Sequence, residues 1–503
     1  MRISTQTFFQ RNTTSILERQ ANTSNLNMHL TEGKRVIHGS DDPVAAAAIQ
    51  RLKQNIAVNE QYEKNIEVAT AANAQEEATL GKMVNILQRV RELMVAAGDG
   101  IYNLENLETV AQELEELKEE LIGLGNTKDG NSEFIFSGYD VDIKPFQEDE
   151  FGVVNFFGNK GVRELQVGSG VDAAINDSGF NLLMNLANGN GSFLSSTSES
   201  NTGSALIEEG VIFDTQLANT FQGEEYSVHM SDPGGGAEIE YSVYSIEAAT
   251  VAGNATVKLA SVDLNDSAIA NVNPANVYPN ALSSINISFL ATATPGEFEV
   301  QINGQSSLPT IYDANTAGVE SISIDGMSLD IEGVPVATDT YQVNKYIEPT
   351  QYLQGQSIEV NGIRTHLKGT PLHNDTFTLS PSRNTDVFAT IQRSIDSLRI
   401  PGNTDDKEAI RLTQLNMAQL ELDSALGNIV DTRSRVGARM QTLISQSTIS
   451  AEFNFVSKSA VSKLEDLDMA QAISELQIEQ TALEVAQKTF VQLQRLNLFD
   501  LLR

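Results

Sequence analysis

Between Leu30 and Leu52 the chain reads LTEGKRVIHGSDDPVAAAAIQRL, which crowds a basic pair, Lys34 and Arg35, a histidine, His38, and two adjacent carboxylates, Asp41 and Asp42, into one short stretch. Residues of these types can grip a phosphate or a metal ion, so the first question is whether their spacing supports either chemistry. The five histidines of the chain, at 29, 38, 229, 366 and 373, fall at no metal-ligand spacing, and neither H-E-x-x-H nor a helical His pair four apart occurs. Most of them read as surface or capping residues. The glycine-rich run DPGGGAEIEY, Asp232 to Tyr241, lacks both the Lys-Ser/Thr of a phosphate loop and the G-x-G-x-x-G spacing, and reads as a hairpin turn. There is no G-x-S-x-G elbow, and the acidic pair Asp405-Asp406 sits where a helix begins, a position in which carboxylates cap amides and oppose the macrodipole. No catalytic, cofactor or metal site is expected.

The stretch has a structural reading that uses all of its residues. Asp42 is an N-cap, Pro43 takes the first helical position, and Ala45 to Ala48 propagate the new helix. Gly39 breaks the helix before it. Gly33, Lys34, Arg35, Asp41, Asp42 and Pro43 then form a sharp corner between two helices, and the alanines leave a small-residue face for a close neighbour.

Composition sets the outer limits. The 503 residues carry 67 acidic and 33 basic side chains, a net charge of -34, which repels nucleic acid and anionic membrane surfaces. There is no cysteine, hence no disulfide framework and no sulfur-dependent zinc site. The start, MRISTQTFFQRNTTSILERQ, has no apolar signal-peptide core, and no run approaches 18 apolar residues. Secretion by a cleaved signal and membrane insertion are both unexpected.

Both ends of the chain have helical periodicity, from 1 to about 138 and from about 385 to 503, and the middle is rich in Gly, Ser, Thr, Asn and Val with short alternating runs. In LETVAQELEELKEEL the apolar Leu107, Val110, Leu114, Leu117 and Leu121 follow heptad spacing. A returning stripe runs Leu412, Leu415, Leu422, Ile429, Val436, Met440 and Leu443, with polar Gln419 and Arg433 filling two positions. The last runs Met469, Ile473, Leu476, Leu483, Ala486, Phe490, Leu493 and Leu496. Burying five aliphatic side chains yields roughly 7 to 15 kcal/mol, whereas ordering about 15 residues of backbone costs roughly 15 to 30 kcal/mol. A lone helix of this kind loses that balance, so the stripes from opposite ends pack on one another. The expected fold class is α+β multidomain: an antiparallel helical coiled-coil bundle formed by both chain ends, with a central mostly-β outer lobe of one or two related modules. At the start, Phe9, Ile16 and Leu30 share a heptad register with Thr23, and the companion positions Asn12 and Arg19 are polar. Such a segment is marginal in an isolated monomer.

The middle contains a duplication. Shifted by 36 residues, SIEVNGIRTHLKGTPLHNDTFTL from Ser357 overlays SISIDGMSLDIEGVPVATDTYQV from Ser321, keeping Gly, Pro, Asp and strand formers in place. Each copy reads as strand, turn, strand, turn, strand. A second echo, GEEYSV at 223 and GEFEV at 296, suggests that the preceding strands were copied too. The expected organisation is 1–40 and 460–503 as terminal assembly helices, disordered in the monomer; 41–140 and 385–459 as a helical core; 141–245 and 347–384 as a β domain; and 246–346 as an inserted second β module.

Four patches resemble the flagellin superfamily and, within it, the family of hook-filament junction proteins. MRISTQTFFQRNTTSIL resembles the family's Met-Arg-Ile-Ser-Thr opening, and LTEGKRVIHGSDDPVAAAAI its G-K-R…S-D-D-P signature. GNTKDGNSEFIFSGY, with Phe134, Phe136 and Gly138, resembles the segment where the α core gives way to β. RSRVGARMQTL, with Arg433, Gly437, Ala438 and Arg439, resembles the returning signature with Gln441 where Asn is usual, and NLFDLL resembles the apolar finish. The resemblance implies a non-enzymatic structural protein, exported through the flagellar type III secretion apparatus with an export chaperone and without a cleaved signal peptide. It implies an extracellular place at the hook-filament junction, as a ring of itself between hook-associated protein 1 and flagellin. The resemblance implies no cofactor. The expected intersubunit packing residues are Phe9, Ile16, Leu30, Leu476, Leu483, Phe490 and Leu493. The rivals are a filament-forming flagellin and a flagellar core whose β lobe is an adhesin.

Overall fold

The computed structural model describes residues 5–99, 102–218, 225–232, 238–250, 255–262, 283–302, 305–315, 318–324 and 327–501. Six helices carry the two ends: α1 Thr5–Glu32, α2 Pro43–Gly98, α3 Leu104–Gly125, α4 Val387–Leu398, α5 Asp405–Glu465 and α6 Met469–Leu501. The regular structure of the described middle is mostly β, so the fold class is the α+β arrangement the periodicities predict. The chain divides into two compact units: Met1–Ala71, Glu164–Ile175 and Ala438–Arg503 form the first, Ala72–Arg163 and Asn176–Gly437 the second. Helices α2 and α5 contribute residues to both.

In the first unit α1 and α6 run antiparallel: Leu26 and His29 lie beside Glu475 and Ile478, and Ser15 and Arg19 beside Thr481 and Val485. The hairpin Glu164–Gly168 with Val171–Ala174 lays Val167 and Ala173 against Ile66, Ala69 and Leu443. Polar ties join the long helices there as well, Asn59 Nδ2 donating to the Ser450 carbonyl at 2.9 Å and Asn454 Nδ2 to Glu63 Oε1 at 2.9 Å.

In the second unit the expected stripe on α5 is the buried one: Leu415, Leu422, Ile429 and Val436 are inaccessible to solvent. On α3, Leu107, Val110, Leu114 and Leu121 are buried as the heptad requires, but Leu117 is only half-buried. Its neighbour Lys118 takes the inward place, because the Lys118 ammonium finds Glu148 Oε1 and Gln392 Oε1, each at 2.7 Å. Arg399, just past α4, clamps α3 by reaching Glu108 at 3.1 Å and Glu115 at 2.6 Å.

The lobe is built on one eight-stranded antiparallel sheet. Its strands are β1 Phe193–Thr197, β2 Tyr226–Ser231, β3 Glu240–Thr250, β5 Ser283–Ala291, β6 Glu297–Ile302, β7 Gln305–Asp313, β10 Thr340–Gln351 and β13 Thr376–Pro381, in the spatial order β7-β6-β5-β10-β3-β2-β13-β1. A three-stranded sheet of β4 Thr256–Val262, β9 Met327–Glu332 and β8 Glu320–Ile324 accompanies it. So does a second small sheet of β11 Ser357–Val360 and β12 Ile363–Lys368, to which Leu206–Ile207 and Val211–Ile212 pair. Strands β2 and β3 pair as a hairpin, and residues 233–237 between them, which include the three glycines, lie outside the described residues.

The duplication seen in sequence is repeated in register. In one copy Ser321 faces Asp330 and Ile324 faces Met327; 36 residues on, Ser357 faces His366 and Val360 faces Ile363. The second echo does not hold. Strand β2, which follows Gly223, pairs directly with β13, whereas β6, which follows Gly296, lies one strand away from β10. A short string of glutamates and an aromatic carries too little information to set a register.

Candidate assembly site

The corner between α1 and α2 is closed by backbone chemistry. Gly33 adopts φ +67, the left-handed conformation that ends a helix without steric cost, and the Lys34 amide then donates back to the His29 carbonyl at 3.2 Å. It is therefore Gly33, not Gly39, that terminates α1; a Cβ on Gly39 would meet nothing and its φ is not positive. Asp41 Oδ2 accepts from the amides of Ile37 and His38 at 3.0 and 2.8 Å, and these donors hold its carboxyl below the usual range. Asp42 Oδ1 accepts from Ala45 at 3.0 Å, the N-cap bond that Pro43 follows, and its pKa is lowered by that amide and by Arg35.

Lys34 and Arg35 face the other chain end. Lys34 Nζ lies 2.7 Å from Glu465 Oε1, and Lys53 Nζ lies 2.6 Å from Glu465 Oε2; both ammonium groups lower the pKa of this largely buried carboxylate. The Arg35 amide donates to the Glu465 carbonyl at 2.7 Å, its guanidinium reaches the Leu464 carbonyl and Asp42, and Leu467 donates to the Gly33 carbonyl at 3.0 Å. Val36, Ala45 and Ile49 close over Val461 and Leu464. Asp468 caps α6 through the amides of Ala470 and Gln471. Lys34 and Arg35 thus tie this corner to the turn after Leu464, while Asp41 and Asp42 cap the corner itself. Among the described residues no cluster of His, Cys, Asp and Glu is placed to hold a metal ion.

Beyond this corner the α1–α6 seam is thin. On α1 the inward positions Asn12, Ile16, Arg19, Thr23, Leu26 and Leu30 are all half-buried, and Arg19 pairs with Glu479 at 3.1 Å. On α6 the inward row is Ala472, Leu476, Glu479, Leu483, Ala486 and Phe490, of which Ala472 alone is buried. Met469 and Ile473, expected in this stripe, are exposed: the small Ala472 lets the helices approach and takes the contact. The side chains of Phe9 and of Leu493 onward lie outside the described residues. Leu17 on α1 and Ile478 and Val485 on α6 are open to solvent at 60%, 64% and 57%. On α5 Ile444, Ile449, Phe453, Phe455 and Val456 are exposed as well.

The other signature residues divide by role. Phe134 and Phe136 are buried, and Gly138 at φ +71 passes so close to the Asn159 carbonyl that a Cβ would lie 2.1 Å from its oxygen. Arg433 pairs with Glu77 at 2.5 Å. Gly437 and Ala438 are exposed, Arg439 is half-buried, and a Cβ on Gly437 would meet no atom within 4 Å. Sequence reading missed His229. It sits in β2, a strand buried on both faces, and burial lowers its pKa to about 4. The uninterrupted alternation of Ser227, His229 and Ser231 with Tyr226, Val228 and Met230 gave no sign that the polar face is covered too.

Comparison with known proteins bears on both ends. Residues 3–140 match the family model of the bacterial flagellin N-terminal helical region, and residues 420–502 that of the C-terminal helical region. Among curated proteins, flagellar hook-associated protein 3 of Escherichia coli K12 is 35% identical over 150 residues, 30% of this chain and 47% of that protein. The namesake in Salmonella typhimurium LT2 is 35% identical over 148 residues, 29% and 47%. The chain thus spans about half the length of the curated relatives it matches. Two solved structures share the fold: flagellar hook-associated protein 3 from Legionella pneumophila, with TM-score 0.56 and 23% identity over 83% of this chain and 98% of that one, and a Xanthomonas campestris homologue, with TM-score 0.54 and 16% identity over 82% and 99%. Matched at both helical ends by the flagellin family models and sharing one architecture with these structures, the chain is similar to the flagellin superfamily.

Proposed function

We propose that this chain is a structural component of the bacterial flagellum that builds the junction between hook and filament, through packing of its terminal helices against sister copies. The observation that carries the reading is the half-made seam. Helices of 28 and 33 residues lie together, yet among the described side chains of α6 Ala472 alone is buried, while Leu17, Ile478 and Val485 face solvent. Paired helices of this length that bury so little of their shared seam call for further apolar surface from a neighbour. The names carried by the curated relatives and the shared fold support the junction role. On this reading the partners are other copies in a ring, hook-associated protein 1 on one side and flagellin on the other, reached by export through the flagellar apparatus. Among the described residues no helix is long and apolar enough to cross a membrane.

The test is Ile478→Glu together with Val485→Glu, both open to solvent in the single chain. The purified variant should keep the helix content and lobe structure of the wild type, while cells carrying it assemble hooks without filaments and release flagellin into the medium. Normal filaments on such cells overturn the proposal. Amide exchange on dilute monomer should also show little protection for residues 1–30 and the last thirty; strong protection there would mean that the seam closes without neighbours.

A further inference from the structure

The repeat is far larger than the 23 residues legible in sequence. Strand β13 pairs with β2 so that Thr376 faces His229, and β10 pairs with β5 so that Thr340 faces Ser288. Since 340 corresponds to 376, β5 corresponds to β2 at an offset of 59. The next strand keeps that offset: Met230 faces Tyr241, and Phe289 faces Val300. On the other flank Phe377 faces Thr197 and Pro381 faces Phe193, while Tyr341 faces Ala248 and Lys345 faces Tyr244, an offset of 51 at both ends. The small sheets agree as well. Lys368 faces Leu206 and Ile363 faces Ile212; Glu332 faces Thr256 and Met327 faces Val262, an offset of 50 at both ends.

Side-chain chemistry repeats with the register. The Asp375 carboxylate accepts the Leu372 amide at 2.8 Å, and Asp339 accepts the Val336 amide at 2.8 Å. Gly369 and Gly333 follow with φ +94 and +95, and their carbonyls accept the hydroxyls of Tyr352 at 3.1 Å and Tyr312 at 2.6 Å. The two apolar cores correspond: Phe193, Val228 and Phe377 lie in one where Tyr244, Ile287 and Tyr341 lie in the other.

We infer that residues 244–345 are a complete second copy of the lobe's β module, nested in the hairpin that joins the third and fourth large-sheet strands of the first, and that this copy folds as a cooperative unit the first does not need. The changeover point is visible in two shared strands. On β3, Val243 belongs to the first core and Tyr244 to the second, at an irregularity in the pairing with β10; on β10, Val343 belongs to the second core and Tyr346 to the first. The hairpin thus interrupted corresponds to β6–β7 in the nested copy, where Ile302 faces Gln305 directly. About one hundred residues around a single core is enough to fold alone. Nesting at a hairpin tip leaves both strands of the host hairpin paired, so the host loses no core residue when the guest is absent.

Two experiments on the whole protein test this, and neither depends on the flagellar reading. In the first, residues 244–345 are excised and Val243 is joined to Tyr346 through Asn-Gly. Amides of β2 and β13 should keep their wild-type exchange protection, and loss of protection throughout the lobe overturns the inference. In the second, Ile287→Asp is placed in the full chain. Strands β5, β6 and β9 should lose protection while β2, β12 and β13 keep theirs; simultaneous loss in both sets overturns the inference, even if the excised chain fails to fold for reasons of its new turn. A third readout, filament assembly by the excised chain, rests on the proposed junction role. If it fails while β2 and β13 stay protected, the nested copy takes part in assembly, and its separability in folding still stands.

Discussion

Lys34 and Glu465 meet at 2.7 Å although they belong to opposite ends of the chain, and the backbone follows them, with Arg35 donating to the Glu465 carbonyl and Leu467 to that of Gly33. This ion pair is the polar latch of the first unit. Its pH dependence has a definite sign. The folded-state pKa of Glu465 is depressed below its ordinary 4.5 by Lys34 and Lys53, so its contribution is fully present above 4.5 and is lost as pH falls toward the lowered value. Protection factors of the Arg35 and Leu467 amides should therefore fall as pH is taken below 4.5, and Glu465→Gln should show reduced protection already at neutral pH with little further change on acidification. Equal acid sensitivity in the variant would assign the effect to other carboxylates.

His229 titrates the lobe in the same direction over a different window. Burial lowers its pKa from 6.5 to about 4, so the unfolded chain binds the proton first and stability declines as pH drops from 6.5 to about 4, levelling off below. A displacement of this size corresponds to about 3 kcal/mol at the acid end. Urea unfolding of the lobe at pH 7 and pH 4 measures it. His229→Gln should remove most of the difference between the two, and an unchanged pH profile would show that the imidazole is charged within the fold.

Gly138 is the signature glycine with the strongest steric reason. It combines φ +71 with an approach to the Asn159 carbonyl that leaves no room for a methyl group. Gly138→Ala should destabilise the second unit by about 2 to 4 kcal/mol, since both the backbone and the 159 loop must shift. Gly130→Ala is the control: its φ is not positive and a Cβ there meets nothing, so it should stay within about 0.5 kcal/mol of wild type. Thermal denaturation of the pair separates a steric requirement from mere family habit.

What the sequence reveals of this molecule follows from how local each signal is. The Asp42-Pro43 cap, the α5 stripe and the Asp339 and Asp375 turns are legible because cap, seam and turn are made by residues a few positions apart. Gly33 and Gly39 look alike in a string, and the distinction lies in a bond from Lys34 to His29 that depends on the final turn of α1. The α6 stripe drifts toward Met469 and Ile473 because large apolar residues dominate a periodicity count, whereas close helix approach selects Ala472. The wider β repeat is invisible in the string because its copies keep pairing and inward side chains while spelling them differently: Phe193 stands for Tyr244 and Met230 for Phe289.

Lys118 carries the last prediction, since a lysine beside Leu117 in a heptad reads as a solvated residue and the fold buries it. Its ammonium touches Glu148, Gln392 and the Gly152 carbonyl, and Glu148 keeps about a third of its side chain in water. The two partners are therefore unequal. Removing the cation with Lys118→Met preserves the packed stem and lets Glu148 turn to solvent, a change expected to cost no more than about 1 to 2 kcal/mol. Glu148→Ala instead strands a buried charge between two neutral oxygens, and about 3 to 5 kcal/mol is expected. Urea unfolding of the two variants should rank them in that order. The opposite order would mean that the attraction exceeds the cost of dehydrating the ammonium, and that the pair is itself a source of stability in the α3 packing.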